Sequence, residues 1–309
     1  MTPTGDGPIS VGLVGCGAWG ALILRDLLEL GCAVTVVDAD PAACRRAEAV
    51  GAVAVHGTSP VEVLGNARGV VVATPTTTHV DVVESLLPLD VPLFVEKPLS
   101  SEPDGPRRLA ALAPDRIFMM HKWRHHPGVQ VMADLARRRV LGEVEGLKLV
   151  RTGWDNPFDD VDAVWVLAPH DLSIVLEILG SIPPPRWAVG RYEPGRRASL
   201  IGVLGDRPWV HLDVGSCSGR RERRIELQCA EGVAVLADGY DQEILVRRGN
   251  DHGPPAEERI PAVGEMPLLA ELRRFVGYLD GGPAPLSSVA DEVALIDALV
   301  SLRTLAGLP

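Results

Sequence analysis

Aromatic side chains are scarce: they make up 4% of 309 residues, although 46% are hydrophobic. Aliphatic residues and alanine must therefore do most of the packing. Basic charge is also short. The chain has 30 Lys and Arg against 41 Asp and Glu, a net charge of −11. That argues against a general nucleic-acid or membrane-surface binder, since either needs a basic face. The local run Arg220-Arg221-Glu222-Arg223-Arg224 reads as the solvated start of a strand. Cys16, Cys32, Cys44, Cys217 and Cys229 include no C-x-x-C pair. Neither a disulfide framework nor a zinc site is expected from them, and reduced thiols point to a cytoplasmic protein. The opening MTPTGDGPIS lacks the basic and apolar regions of a secretion signal. No unbroken apolar run approaches the ~18 residues of a membrane span. The expectation is a soluble cytoplasmic chain with room for two domains.

What is present is a regular alternation. ISVGLV at 9–14 is a short apolar run ending in glycines, as a buried parallel strand does. AWGALILRDLLELG then has helical spacing of Leu and Ile and stops at Gly31. AVTVVDAD, AVAV, GVVVATP, PLFVEKP and RIFMM supply further strands, with helical segments between most of them. Continuous apolar strands alternating with helices predict a parallel sheet covered on both faces. After about residue 121 the grammar changes. Helices are expected at 128–138 and 170–179, flanking the strand GLKLVRTG. RWAVGRY, SLIGVLG, WVHLDVGS, RIELQCA, GVAVLAD and EILVRR follow with the spacing of an antiparallel meander. GNDHGPPAEE reads as a polar loop, and two closing helices follow it. The predicted architecture is an α/β Rossmann domain, a doubly wound parallel sheet, over residues 1–121. An α+β domain with a mainly antiparallel open sheet covers 122–309, and its closing helices can pack back on the first domain.

The strongest motif is VGLVGCGAWG. Gly15-x-Gly17-x-x-Gly20 follows a strand and opens a helix, the context a dinucleotide fingerprint requires. Gly15 allows the tight turn, Gly17 a close approach of backbone to pyrophosphate, and Gly20 the packing of helix on strand. With Ala18 and Trp19 these residues present the free N–H groups of a helix N-terminus to phosphate. Asp38 closes the second strand eighteen residues after Gly20, placed to accept from both ribose hydroxyls. Ala39 and Asp40 follow it, with no Arg or Ser beside the acid to welcome a 2′-phosphate. NAD is therefore expected over NADP, with Arg45 and Arg46 a helical turn or two further on. In FVEKPLS, Lys97 stands at the carboxyl end of a strand, where ligands sit in such sheets. Its ammonium either bonds a substrate hydroxyl or carbonyl or is simply a surface lysine, with Pro98 stiffening the backbone.

The glycine fingerprint, VVVATPTTTH at 70–79, VEKPLS at 95–100 and GEVEGLKLVRTG at 142–153 occur in an order and spacing that resemble the Gfo/Idh/MocA oxidoreductase family. The similarity runs over most of the first 180 residues. GCGAWG and LAPHDLSI look most like the branch acting on sugar nucleotides. The resemblance implies a nicotinamide cofactor in the Rossmann domain, covered by an antiparallel domain that often forms the oligomer face. It implies that Thr74, Pro75 and His79 line the cofactor cleft and that Glu96 lies near the nicotinamide ribose. Lys97 is then the lysine that holds the reacting oxygen, and His170 the proton acceptor when an alcohol is oxidised. A homo-oligomer and a sugar substrate, nucleotide-linked, are implied as well.

The chain departs from the family's D-x-G-x-H segment, with Val166 at the aspartate position and Ala168 at the glycine. Valine relays no proton. Either Lys97 and His170 suffice, or Asp162 or Asp171 substitutes, or the chemistry differs; Asp171 reads first as an N-terminal helix acid. His121, His125 and His126 lack the helical spacing and third ligand of a zinc site. Arg124, His125 and His126 are better placed as polar groups at the domain junction, with Arg124 contacting substrate. GSCSG at 215–219 mimics a nucleophile elbow, but a strand follows it instead of a helix. Trp154 and Asn156 either stack on and bond a sugar, or Trp154 caps the core. The expected activity is hydride transfer between a sugar's secondary carbinol and nicotinamide. The alternatives are imine or 2-oxo-acid reduction on the same scaffold, or an NAD-binding sensor without catalysis.

Overall fold

The structure, a computed structural model, describes residues 7–56, 60–154, 160–193, 197–249 and 256–309. The chain divides into two compact units. The first comprises Met1–Lys122 with Leu268–Val293, the second Trp123–Pro267 with Ala294–Pro309.

In the first unit the chain runs β1 (Ser10–Val14), α1 (Ala18–Glu29), β2 (Ala33–Val37), α2 (Pro41–Ala49), β3 (Ala54–His56), α3 (Pro60–Val63), β4 (Gly69–Val72), α4 (His79–Leu86), β5 (Leu93–Glu96), α5 (Asp104–Leu112) and β6 (Ile117–Met120). The six strands are parallel in the order β3-β2-β1-β4-β5-β6. Every residue of β4, β5 and β6 is buried, which is why these strands read as unbroken apolar runs rather than alternating ones. The strand order reverses between β1 and β4, so the loops leaving their carboxyl ends diverge and open a crevice there. A later helix, which the chain order makes α8 (Pro267–Leu279), closes one face. Its Phe275 stacks on Phe94 at 4.8 Å, and Gly69 leaves room for Leu279 and Phe275 at the start of β4.

The second unit is built on α6 (Pro127–Arg137), β7 (Val144–Trp154), α7 (Ala163–Leu179), β8 (Pro185–Glu193), β9 (Arg197–Leu204), β10 (Trp209–Gly215), β11 (Cys217–Cys229), β12 (Gly232–Leu236), β13 (Glu243–Arg248) and β14 (Ala256–Pro261). These strands form one sheet, ordered β14-β13-β12-β11-β7-β10-β9-β8. Leu147, Leu149, Leu200, Leu212, Val214 and Ile225 on one face are buried, and α7 packs against β7, β9 and β10. The final helix, α9 (Val289–Leu305), gives its first turn to the first unit and its remainder to the second.

Three local expectations need correction. The antiparallel meander is interrupted, because β10 pairs with β7 in parallel. The polar loop at 249–258 is shorter than expected, since Ala256 already begins β14, a charged edge strand paired to β13. α7 begins at Ala163, seven residues before the expected start, and carries Pro169 inside it. Asp162 caps it, accepting from the N–H groups of Val164 at 2.9 Å and Trp165 at 3.3 Å. Among the described residues no helix is long and apolar enough to cross a membrane.

Candidate functional site

The glycine loop joins β1 to α1 in the first unit. Gly15 has φ +90°, and a Cβ there would lie 2.6 Å from the Ala73 carbonyl oxygen; only glycine makes this turn cheaply. A Cβ on Gly20 would meet the Gly15 oxygen at 2.2 Å, whereas one on Gly17 would meet nothing within 4 Å. The loop is thus packed tight on its sheet side and open at Gly17. Gly17 is also the N-cap of α1, with no side chain bonded to the first-turn N–H groups. Those donors and the helix dipole favour an anion at that end.

Asp38 ends β2 and faces the same loop. One carboxylate oxygen accepts from Cys16 N–H at 2.5 Å, the other from Asp40 N–H at 2.7 Å. Each oxygen keeps a second lone pair for a donor such as a ribose hydroxyl. Asp40 caps α2, and the N–H of Ala42, then that of Ala43 with the charges of Arg46 and Arg45, hold its carboxyl below the usual range. Arg46 lies 3.8 Å from Asp40. The open Gly17, the uncapped helix end and the half-buried Asp38 suit a dinucleotide: pyrophosphate on the α1 N–H groups, adenosine ribose on Asp38.

Trp19 in α1 donates its indole N–H to Glu96 at the end of β5. The other Glu96 oxygen accepts from Lys97 N–H at 3.1 Å. Lys97 is half-buried, and its bond to Pro98 is cis. Lys122, just after β6, holds its ammonium 4.0 Å over the Trp19 ring. Two α-helical acids that sequence reasoning missed stand behind this segment. Glu292, in the first turn of α9, accepts from Leu99 N–H at 2.8 Å and bonds His121 Nε2 at 2.7 Å. Glu271 in α8 is fully buried. The signal was available, because both acids fall on the apolar stripe of their helices: Leu268, Glu271, Leu272, Phe275, and Val289, Glu292, Ile296, Leu299.

His79 sits below the surface, 1% exposed, with Nδ1 2.8 Å from the Pro98 oxygen and Nε2 2.8 Å from the Thr74 oxygen. It ties the end of β4 to the segment after β5, and burial pulls its pKa down against those two bonds. Thr74 Oγ1 accepts from Thr78 Oγ1 at 2.9 Å, and Pro75, exposed, leads into the turn before α4.

The remaining candidates lie in the second unit. His170 is partly exposed in the middle of α7, its ring 6.4 Å from that of Trp123. Val166, one turn earlier on the same face, is buried. Both neighbouring acids, Asp162 and Asp171, are paired with arginines. Asp162 is taken up by the α7 cap and by Arg303, at 2.8 Å and 3.1 Å. Asp171 is not at the helix start but within it, 1% exposed and paired to Arg151 at 2.8 Å. Burial pushes its carboxyl up against the pull of that guanidinium. Arg151 also lies 4.2 Å over the Trp123 ring. Arg223, expected to be solvated, is half-buried, and its pKa is lowered to about 10 by desolvation and then by Arg151 and Arg221.

Arg124 is nearly buried in an ion pair with Glu177 at 2.9 Å. His126 caps α6: Nδ1 accepts from Gly128 N–H at 3.1 Å and Nε2–H donates to the Gly239 oxygen at 2.8 Å, a neutral tautomer. Burial lowers its pKa in the same sense. Trp154 is 58% exposed at the end of β7, with the Arg197 guanidinium 4.5 Å over its ring. Asn156 lies outside the described residues. Cys217 begins a strand, β11, so GSCSG forms no elbow. No group of three or more His, Cys, Asp or Glu among the described residues could hold a metal ion.

Residues 9–121 match the family model described as an oxidoreductase family with NAD-binding Rossmann fold, GFO_IDH_MocA. Inositol 2-dehydrogenase 2 of Paenarthrobacter aurescens is 30% identical, with 92% of each chain covered. Myo-inositol dehydrogenase Hyg17 of Streptomyces leeuwenhoekii is 29% identical over 89% of this chain and 90% of its own. Among solved structures, UDP-N-acetylglucosamine 3-dehydrogenase from Acidithiobacillus ferrooxidans shares the fold with a TM-score of 0.81, at 21% identity over 96% of this chain and 97% of that one. A fingerprint loop open at Gly17, an acid at the end of β2 and this kinship over nearly the whole length converge: the chain belongs to the Gfo/Idh/MocA oxidoreductases and is a dehydrogenase with an NAD-binding Rossmann fold.

Proposed function

We propose that this dehydrogenase oxidises a secondary carbinol on a sugar ring, or reduces the corresponding ketone, with the sugar carried as a nucleotide conjugate. NAD supplies the hydride acceptor. Lys97 donates from its ammonium to the reacting oxygen, and His170 takes the hydroxyl proton as the carbon–oxygen double bond forms. A near-neutral imidazole suits that exchange in either direction. The observation that carries this reading is Lys97 at the carboxyl end of β5, in the same unit as the open glycine loop. Its backbone is tied on one side to Glu96 and on the other, through Leu99, to Glu292. Similarity to UDP-N-acetylglucosamine 3-dehydrogenase of Acidithiobacillus ferrooxidans supports a nucleotide-linked substrate. A homo-oligomer formed through the open face of the antiparallel sheet belongs to the same proposal.

The test is nicotinamide absorbance with a panel of nucleotide sugars, free sugars, inositols, 2-oxo acids and imines. Turnover of nucleotide sugars supports the reading. Turnover confined to free polyols removes the nucleotide, and turnover of 2-oxo acids or imines removes the sugar. NAD binding without any turnover would make the chain a sensor. Lys97→Ala lowers turnover by about 100-fold or more while NAD binding persists. His170→Ala lowers turnover as well; wild-type turnover in either variant refutes the mechanism.

A further inference from the structure

Glu271 is a deeply buried acid near the end of β5. It is 1% exposed, and among the described residues neither of its carboxyl oxygens has a hydrogen-bond partner. Its neighbour follows from the packing register. Phe94 and Glu96 share one face of β5, two residues apart. Glu271 and Phe275 share one face of α8, four residues apart. Phe275 stacks on Phe94, while Phe275 and Leu279 crowd Gly69 at the amino end of β4. α8 therefore runs against the strand direction, and stepping one helical turn back from Phe275 brings Glu271 to the level of Glu96.

We propose that Glu271 and Glu96 form a carboxylic acid–carboxylate pair sharing one proton, and that Glu271, as the neutral member, sets no second anion beside the Lys97 ammonium that serves the substrate oxygen. The second half rests on Lys97 holding that oxygen. Two buried carboxyls side by side do not both ionise. Which one keeps the proton is decided by their partners. Glu96 accepts from the Trp19 indole and from Lys97 N–H, bonds that favour its anion. Glu271 has no such donor, so the proton resides there.

The charges acting on Glu271 come from Glu96 and Lys97 at the end of β5 and Lys122 after β6, while the neutral indole of Trp19 in α1 bonds Glu96. Burial, then Glu96, push its carboxyl well above the usual range, against the opposite pull of Lys122 and Lys97. Nearby His121 is engaged by Glu292, and His79 by Pro98 and Thr74. An ionised Glu271 would place a second anion beside Lys97, which would compete with the substrate for its N–H donors.

The experiment combines infrared spectroscopy of the NAD-bound protein with steady-state kinetics across pH. At neutral pH the wild type shows the carbonyl stretch of a protonated carboxyl group, and Glu271→Gln lacks it. In Glu96→Gln, where the neighbouring charge is gone, that band disappears at a lower pH than in the wild type. Substrate KM in the wild type rises on the alkaline side as Glu271 ionises, and this limb is absent from Glu271→Gln. A wild type without the band overturns the pair. Identical KM profiles in wild type and Glu271→Gln overturn its action on Lys97 and leave Glu271 a packing residue. The infrared arm uses no substrate, so a band that meets these expectations in a chain that fails to turn over sugars supports the pair while removing the sugar reading.

Discussion

Replacing Asp38 by Ala separates what the carboxylate does for the cofactor from what it does for the loop. The side chain anchors two backbone donors, Cys16 N–H at 2.5 Å and Asp40 N–H at 2.7 Å. Cys16 is 2% exposed, so its N–H loses its acceptor in a place water barely reaches, a penalty of about 1–3 kcal/mol. That loss loosens the phosphate loop and weakens NAD and NADP together. The ribose contribution is different. Hydrogen bonds from ribose hydroxyls to an ionised acceptor contribute about 1.5–3 kcal/mol, so NAD binding should weaken by a further ~10- to 150-fold. NADP has a phosphate where one hydroxyl was, and Asp38 repels it. Removing the carboxylate relieves that repulsion, with Arg45 and Arg46 within a turn or two. The ratio of NADP to NAD affinity therefore rises by at least about tenfold, and the shared loop penalty cancels in it. Fluorescence titrations of both reduced cofactors against wild type and variant measure that ratio. Equal losses would mean that Asp38 acts on the loop alone, and the ribose assignment would be wrong.

The Arg151–Asp171 pair, 2.8 Å apart with both side chains nearly buried, yields a coupling measurement. Asp171→Leu alone strands a buried guanidinium and costs about 3–5 kcal/mol, whereas Arg151→Met/Asp171→Leu recovers most of it. Urea unfolding followed by tryptophan emission, which comes mainly from the second unit, reads the cycle; additive losses would deny the pairing. On the open sheet face, Trp187 (53% exposed), Val189 and Ile201 form an apolar group on β8 and β9. Ile201→Glu should shift the protein to a smaller species by light scattering if that face joins copies of the chain. An unchanged mass places the oligomer contact elsewhere or removes it.

The first unit was largely legible because its signals are local. A buried parallel strand is an unbroken apolar run, and a glycine loop between strand and helix has one geometry that fits its spacing. The start of α7 was not: Asp162 caps the helix well before the expected start, and Pro169, just before that start, is carried within it. β14 was missed because Ala256–Pro261 is an edge strand rich in charge, which resembles a loop in composition. Glu271 and Glu292 were passed over for a different reason. The groups that bear on them, Glu96 by its charge and Leu99 by its N–H, lie more than 170 residues earlier, and an acid on an amphipathic helix is usually assigned to the wet face. Reading each helix for acids on its apolar stripe would have found both.

Cys16, between the first two glycines of the loop, carries a last consequence. Its thiol pKa is raised by burial and then by the Asp38 carboxylate. The sulfur therefore stays protonated where thiolates would be attacked by oxidants and electrophiles. Any exchange of Asp38 removes the second of the influences that hold this thiol protonated and leaves the first, burial, in place.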